Sequence, residues 1–489
     1  IIKNTQTSEF WSVYHRSIGD NGYIFLNTTA ASVSQTGTFS ATDTNFTIKS
    51  NMTYPSQSYV AYLFAHNAGG FGAADTDNVI SCGSFTCDSS GNGTVNLGYE
   101  PQWFMFKRTD STGAWFVSDT LRGFNVSGSS SYLMANSSNA EASGAGWYPT
   151  SNGFFVPSGY ANAQYIYIAI RRGPMKTPTD STTVFSPIVQ TPSSTPNTYT
   201  TNFPVDMVQS VCNNRSVAGS LYLFDRIRGG DLTSQVSLNT SGTDGTDTSF
   251  AKGFGFDYST GISETFWKNL GSPSPTTYYN FRRAPGFFDE VCYTGTGSAT
   301  TINHNLGVVP ELMIIKKRSA SGAWNCYVAS LGNTNYVRLN ETSAVAADGG
   351  VYWNSTTPTS SVFSIGTGAA VNESGSTLIA YLFATCPGVS KVGTFTGTGS
   401  TQTINAGFGA SGARFVLFKR TDNVGPWYCF DSANGLTSGS SPYILWNQNQ
   451  AQTTGNNGCY AASTGFTLTS TASSTVNISS ATYTYLAIA

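Results

Sequence analysis

Charge is the scarcest property of this 489-residue chain. Only 10% of its residues are Asp, Glu, Lys or Arg, against roughly a quarter in an ordinary soluble domain, and 24 basic side chains against 26 acidic ones leave a net charge of −2. Without a basic field, nucleic acid is not an expected partner. Histidine and cysteine are few as well. The three His and the eight Cys, at 82, 87, 212, 292, 326, 386, 429 and 459, show no zinc-type spacing. Cys82 and Cys87 are the only close pair. Five extended steps span roughly 16 Å, whereas bridged Cα atoms lie about 4.4–6.8 Å apart, so a disulfide there would need a tight bend. Apolar runs such as YIYIAI from Tyr165 and YLFA from Tyr381 fall far short of the ~20 residues of a membrane-crossing helix, and no membrane insertion is expected. G-x-S-x-G, H-E-x-x-H, P-loop and strand-coupled G-x-G-x-x-G patterns are missing. No catalytic residue, metal ligand or cofactor is therefore expected, and the sequence names no ligand-binding residue.

What fills the chain is Gly, at 51 residues, with Ser, Thr and Asn, and an aromatic content of 13% that a disordered linker does not carry. Runs of Val, Ile, Thr, Tyr and Phe alternate with turn signals every 8–12 residues, and no 3.6-residue apolar period is long enough for a helix. This predicts an all-β fold of tandem β-sandwiches, Ig-like or small jelly-roll. In YIYIAI both alternating faces are apolar, which predicts a strand covered on both sides.

Self-similarity fixes the organisation. WSVYHRSIG from Trp11, WFVSDTLRG from Trp115, WNCYVASLG from Trp324 and WYCFDSANG from Trp427 are versions of one strand and turn. FMFKRTD from Phe104, MIIKKRS from Met313 and VLFKRTD from Val416 precede three of them, and IIKN from Ile1 precedes the first. Closing strands follow at Tyr59, Tyr165, Leu378 and Tyr483. In a divergent fifth copy, LFDRIRG from Leu223 and YYNFRR from Tyr278 stand for the Trp and closing strands. One repeat is about 95–100 residues. Trp11 and Trp324 are 313 residues apart and Trp115 and Trp427 are 312 apart, so the order reads A–B–C–A–B. The expected domains are A1 at 1–70, B1 at 76–175, C at 176–289, A2 at 290–386 and B2 at 387–489. IIKN aligns about 24 residues into A2, and the sequence reads as an excerpt of a longer polypeptide, with A1 lacking early strands.

Individual candidates for chemistry have plain structural readings. Cys326 and Cys429 exchange with Val13 and Val117 and read as small apolar core sites. His15 aligns with Asp119 and Asp431, and His66 with Thr385, so both read as surface polar positions; His304 lies in a turn. Asp110/Asp119 and Asp422/Asp431 recur as i, i+9 carboxylates beside Lys107-Arg108 and Lys419-Arg420. That spacing suits glycosidase acids, but recurrence favours turn stabilisation. The GTG phrases at Gly295 and Gly397 read as hairpin signals. DTDN from Asp75 and TDGTDT from Thr243 read as solvated loops rather than calcium sites. Sequons such as Asn27, Asn51, Asn136, Asn239, Asn354 and Asn477 matter only in a eukaryotic secretory setting.

The phrases RRGPMKTPTD, FRRAPGFFD, YTGTGS, LGVVPELMIIKKR and YLFATCPGVSKVGTFTGTGSTQTI resemble an uncharacterised β-rich repeat family of large virion structural and tail-fibre-like proteins in marine tailed bacteriophages and cyanophages. The resemblance covers nearly the whole chain, least in the C repeat from about Thr191 to Leu270, and it carries over no catalytic residues. It implies a non-enzymatic virion protein associated with a tail fibre, tail spike or baseplate that contributes to host-surface glycan adhesion. The implied partners are other copies of the chain, in a homo-oligomer such as a trimer, other virion proteins, and a host-surface glycan. The alternative is a capsid decoration, head fibre or filament protein without receptor specificity. A polysaccharide depolymerase would need an acidic cleft, for which Asp225, Asp231, Asp244 and Asp257 of the C repeat are the candidates.

Overall fold

The computed structural model describes residues 1–489 except 50–51, 73–74, 127–128, 158, 192–196, 215–220, 230–236, 247–252, 257, 265–273, 440, 455–457 and 471–475. The fold is all-β and antiparallel, in two compact units, Ile1–Met175 and Lys176–Ala489. No helix among the described residues is long and apolar enough to cross a membrane.

One sheet order recurs. In B2 the strand Ser390–Thr396 pairs with the closing strand Thr482–Ile488. This pairs with the Lys strand Phe415–Arg420, then the Trp strand Trp427–Asp431, then Tyr443–Leu445. B1 begins the same order with Ile80–Thr86, Gln164–Arg171, Pro101–Arg108 and Trp115–Asp119. A2 begins it with Phe288–Thr294, Thr377–Phe383, Leu312–Lys317 and Asn325–Val328. C follows with Phe185–Gln190, Thr276–Phe281, Met207–Cys212, Leu221–Asp225 and Leu238–Asn239. Each of these four carries a second, smaller sheet, such as Gln402–Asn405, Gly465–Leu468 and Cys459–Ala462 in B2. A1 differs: its closing strand Tyr59–Ala61 pairs with Ile2–Asn4 and forms the sheet edge.

Strand alternation places the cores. In Gln164–Arg171, Tyr165, Tyr167 and Ala169 pack into the B1 sandwich with Phe104, Phe106 and Phe154. Ile166 and Ile168 face the other way and pack with Val13 and Ile24 of A1. The two-faced apolar run is thus a strand between its own core and the preceding repeat, the arrangement its alternation predicts.

The GTG phrases are not hairpins. Phe288–Thr294 and the following strand Thr300–Asn303 lie in different sheets, as do Ser390–Thr396 and Gln402–Asn405. The glycines turn a corner between sheets, where the backbone passes close to a neighbouring loop. A Cβ on Gly397 would lie 2.1 Å from the Ile478 carbonyl oxygen, and one on Gly295 would lie 2.2 Å from that of Glu373. Each corner is held by a buried amide: Asn477 donates to the Ser400 and Thr469 carbonyls and Asn372 to those of Ser298 and Gly366. Gly397→Ala is expected to lower stability by about 1–3 kcal/mol in a denaturant melt. Gly409→Ala, with no atom within 4 Å of the added carbon, should leave the midpoint unchanged.

Candidate functional site

The residues that recur most faithfully converge where one repeat meets the next. Lys107, Lys316 and Lys419 are 0% exposed, and each ammonium donates to a carbonyl of the preceding repeat. The bonds are Lys107 to Thr29 at 3.1 Å, Lys316 to Thr243 at 2.7 Å and Lys419 to Thr342 at 3.0 Å. Lys316 and Lys419 also donate to Gly322 and Gly425 in their own repeats, both at 2.7 Å. The Trp beside each lysine adds a second bond. Its indole N–H donates to Phe25 (2.8 Å, from Trp115), Asn239 (3.0 Å, from Trp324) and Arg338 (2.9 Å, from Trp427). Main-chain bonds run both ways across the same seam. Gly113, Gly322 and Gly425 donate to the three Thr carbonyls, while Ser32, Thr246 and Val345 donate to Thr109, Arg318 and Thr421.

Burial lowers each of these lysines to about 8, and fixed carbonyl dipoles replace the lost water. The same clasp therefore joins A1 to B1, C to A2, and A2 to B2. In the C repeat, strand register puts Val211 and Leu221 where A2 has Lys316 and Trp324, so C carries neither donor.

Within Lys176–Ala489 the three repeats close into a ring in which each touches the other two. The Tyr381 hydroxyl of A2 donates to Asp225 of C at 2.7 Å, and Asp225 is paired with Arg228 at 2.6 Å, both side chains at most 1% exposed. The Tyr279 hydroxyl of C donates to Asp431 of B2 at 2.8 Å. Asn434 of B2 bonds Asp431, Thr277 and Asn213 around it. At the third junction the same two positions hold Leu486 and Val328, both buried. Equivalent residues Gln209, Ile314 and Leu417 line a cavity of about 20 Å³ where the three repeats meet.

The residues singled out from sequence divide accordingly. Lys107 and Lys419 point away from the acidic turns and into the clasp. Asp110 and Asp422 hold the turn through Arg108 and Arg420, at 2.7 and 2.8 Å, and Asp119 binds the Arg122 side chain and main-chain N–H. Asp431 does more than hold a turn, since it accepts from another repeat.

The surface reading of His15 is wrong. It is 9% exposed, with Nε2 3.1 Å from the Tyr167 carbonyl of B1, because its position faces the junction. His66 is half-buried and its Nδ1 accepts from the Cys82 N–H. His304 is 6% exposed, beside the Thr359 carbonyl.

Cys326 and Cys429 are buried, yet they lie outside the sandwich cores, on the Trp face; the Cys429 thiol is 3.5 Å from the Tyr279 hydroxyl. Cys82 and Cys87 are unbridged. Cys82 packs in the A1–B1 cluster and Cys87 in the B1 core. Burial pushes Cys82 and Cys386 up to about 11 and Cys326 up to about 12, which disfavours the reactive thiolate.

Of the proposed acidic cleft, Asp225 is sealed in the ring, Asp244 is exposed, and Asp231 and Asp257 lie outside the described residues. The loop from Thr243 is a docking loop rather than a solvated one, since Thr243 and Thr246 bond A2; its residues 247–248 lie outside the described residues. In DTDN, Asp75 is exposed and Asp77 pairs with Arg171 at 2.9 Å. Of the sequons, Asn27 and Asn136 accept from the N–H of Trp11 and Trp115, and Asn477 is buried in its corner. Asn51 lies outside the described residues.

The family described as "Domain of unknown function (DUF7483)" matches residues 1–174 and 180–489, one stretch in each compact unit. The chain belongs to that family. No curated protein matches it.

Two measurements test the junction chemistry. Asp225→Ala strands the buried Arg228 and should cost about 3–5 kcal/mol in denaturant unfolding, whereas Tyr381→Phe removes one donor and should cost about 1–2 kcal/mol. Burial lowers His15 to about 4, so the unfolded chain takes up the proton first. Its contribution is complete above pH 6.5 and falls as pH drops toward 4, by up to about 3 kcal/mol. The stability lost by the wild-type chain between pH 6.5 and 4 should exceed that lost by His15→Gln by that amount in denaturant melts.

Proposed function

We propose that the chain is a structural protein of an extracellular particle, a bacteriophage virion, and that it contributes through a tail fibre, tail spike or baseplate to adhesion on host-surface glycans. The observation that carries this reading is where the scarce charges sit. Lys107, Lys316, Lys419, Arg228, Asp225 and Asp431 are all buried at or near junctions, leaving an exterior dominated by hydroxyl, amide and glycine positions. Such a surface meets sugars through hydrogen bonds, and exposed rings such as Tyr54 and Tyr160, 53% and 66% exposed, offer faces on which a sugar can stack. The resemblance of the repeat phrases to those of virion proteins supports the same class. The partners of this reading are other copies of the chain, in an oligomer such as a trimer, and other virion proteins.

The second reading is a capsid decoration, head fibre or filament protein without receptor specificity. It is favoured by the fact that the most faithfully repeated residues join repeat to repeat. A depolymerase has less support, because Asp225 is committed to Arg228 and Tyr381.

Immunogold electron microscopy of intact particles, with an antibody against the C repeat, separates the readings. Gold at the tail tip or fibres is the expected result, and glycan-array binding should then follow. Gold over the capsid or along a filament would replace adhesion by cladding.

A further inference from the structure

The A1–B1 unit has the parts of a three-repeat ring with one seat open. Register aligns Lys3, Trp11, Tyr62 and Phe64 of A1 with Lys316, Trp324, Tyr381 and Phe383 of A2, since Ile2 pairs with Ala61 as Ile315 pairs with Ala380. In A2 this face is covered by the C repeat, through Asp225 on Tyr381 and Phe281 on Phe383, and by Phe288 of A2's own first strand: Tyr381 is 1% exposed and Phe383 4%. In A1, Tyr62 is 48% exposed and Phe64 44%.

The uncovered face is already set in the docked geometry. Trp11 stacks on Tyr62 at 6.2 Å and 20°, and Trp324 on Tyr381 at 6.3 Å and 22°. Lys3 donates to the Glu9 carbonyl at 2.8 Å, as Lys316 does to Gly322, and its second bond goes to the nearby Thr7 instead of a neighbouring repeat. The Trp11 indole N–H, whose counterparts all reach the preceding repeat, makes no hydrogen bond among the described residues.

B1 supplies the other flank. Asp119 and Trp103 occupy the places of Asp431 and Phe415, which in B2 receive the C repeat. Trp103 is only half-buried and the Asp119 side chain is 18% exposed, against 1% or less for Asp431 and Phe415.

We propose that the open face of A1 and B1 is the docking seat for a further C-type repeat. The polar code singles out this occupant. An A repeat offers the tyrosine but has His15 or Val328 at the aspartate place. A B repeat offers the aspartate but has Ile168 or Leu486 at the tyrosine place. Only the C type carries both, Asp225 for the A flank and Tyr279 for the B flank. The C repeat at 176–289 is not that occupant, because A2 and B2 already take both faces. A1 and B1 meet through the same clasp as A2 and B2, so the gap they leave is that of one repeat.

The inference does not depend on the proposed function and is tested without particles. The 489-residue chain is compared with a longer chain carrying a second copy of residues 176–289 ahead of Ile1 on a flexible linker, by hydroxyl-radical footprinting read by mass spectrometry. Labelling of Tyr62 should be lost, down to the level of Tyr381 in the same molecule, and that of Phe64 should fall. It should return when the added copy carries Asp225→Leu and Tyr279→Leu.

Tyr62 still labelled beside a folded added repeat would overturn the proposal, as would equal shielding by the doubly substituted copy. The unextended chain gives an independent arm. Tyr62→Phe should change neither its melting nor its sedimentation, and Asp119→Asn, which weakens the Arg122 turn, should leave its sedimentation unchanged, because the repeat that both would meet is not there. A fall in mass with either substitution would assign the face to a second copy of the chain and sink the C-type seat.

Discussion

A lysine ammonium with no access to water, held by carbonyl oxygens of a neighbouring repeat, is the constraint on which the architecture rests. Stranding a buried cation costs about 3–5 kcal/mol, so Lys107, Lys316 and Lys419 are well tolerated only while the preceding repeat keeps its Thr carbonyl in place. The clasp thereby works against alternatives as much as for the native arrangement. A repeat that slid or turned relative to its neighbour would leave a bare charge and an unpaired indole N–H in an apolar seam. Registry between sandwiches is set by polar atoms, while the area buried around them is apolar and indifferent to direction.

The longer period in the sequence has its explanation at the second polar position. The three repeat types share the sandwich but differ at the tyrosine and aspartate places that meet around the ring. A and C present a tyrosine, B and C an aspartate, and the A–B junction is left to Val328 and Leu486, or His15 and Ile168. Three near-identical folds are thus made distinguishable by a pair of side chains each. Mispairing would bury a carboxylate against an aliphatic chain or a hydroxyl against nothing, which is how polar groups confer specificity at some expense of stability.

Much of this was legible in the sequence. Strand periodicity, the five-fold recurrence and the two-sided apolar character of the closing strand are local patterns, and local patterns survive in one dimension. The roles of Lys107, His15 and Cys429 were not legible, because a position that faces a neighbouring repeat looks, along its own strand, like one that faces water, or, for an apolar residue such as Cys429, like one in its own core. A signal was there for the lysines: a cation in the same place in three copies, inside a strand apolar on both faces, demands a buried acceptor. Asp225 was misread as a candidate acid for the related reason that a carboxylate on a divergent repeat carries no mark of the arginine three residues later until the turn closes. The corner glycines lacked a signal of their own, since the sequence does not say which of two sheets the next strand joins.

The ring of C, A2 and B2 is built from one covalent chain, and this changes how it responds to its surroundings. A trimer of separate sandwiches has an association equilibrium: dilution takes it apart, and its melting point depends on concentration. Here each repeat is tethered to its neighbours by a few residues, so every docking step is intramolecular and proceeds at a high effective concentration. Three-fold contact is obtained without mass action, and a ring opened by heat or force has its lost partner still attached.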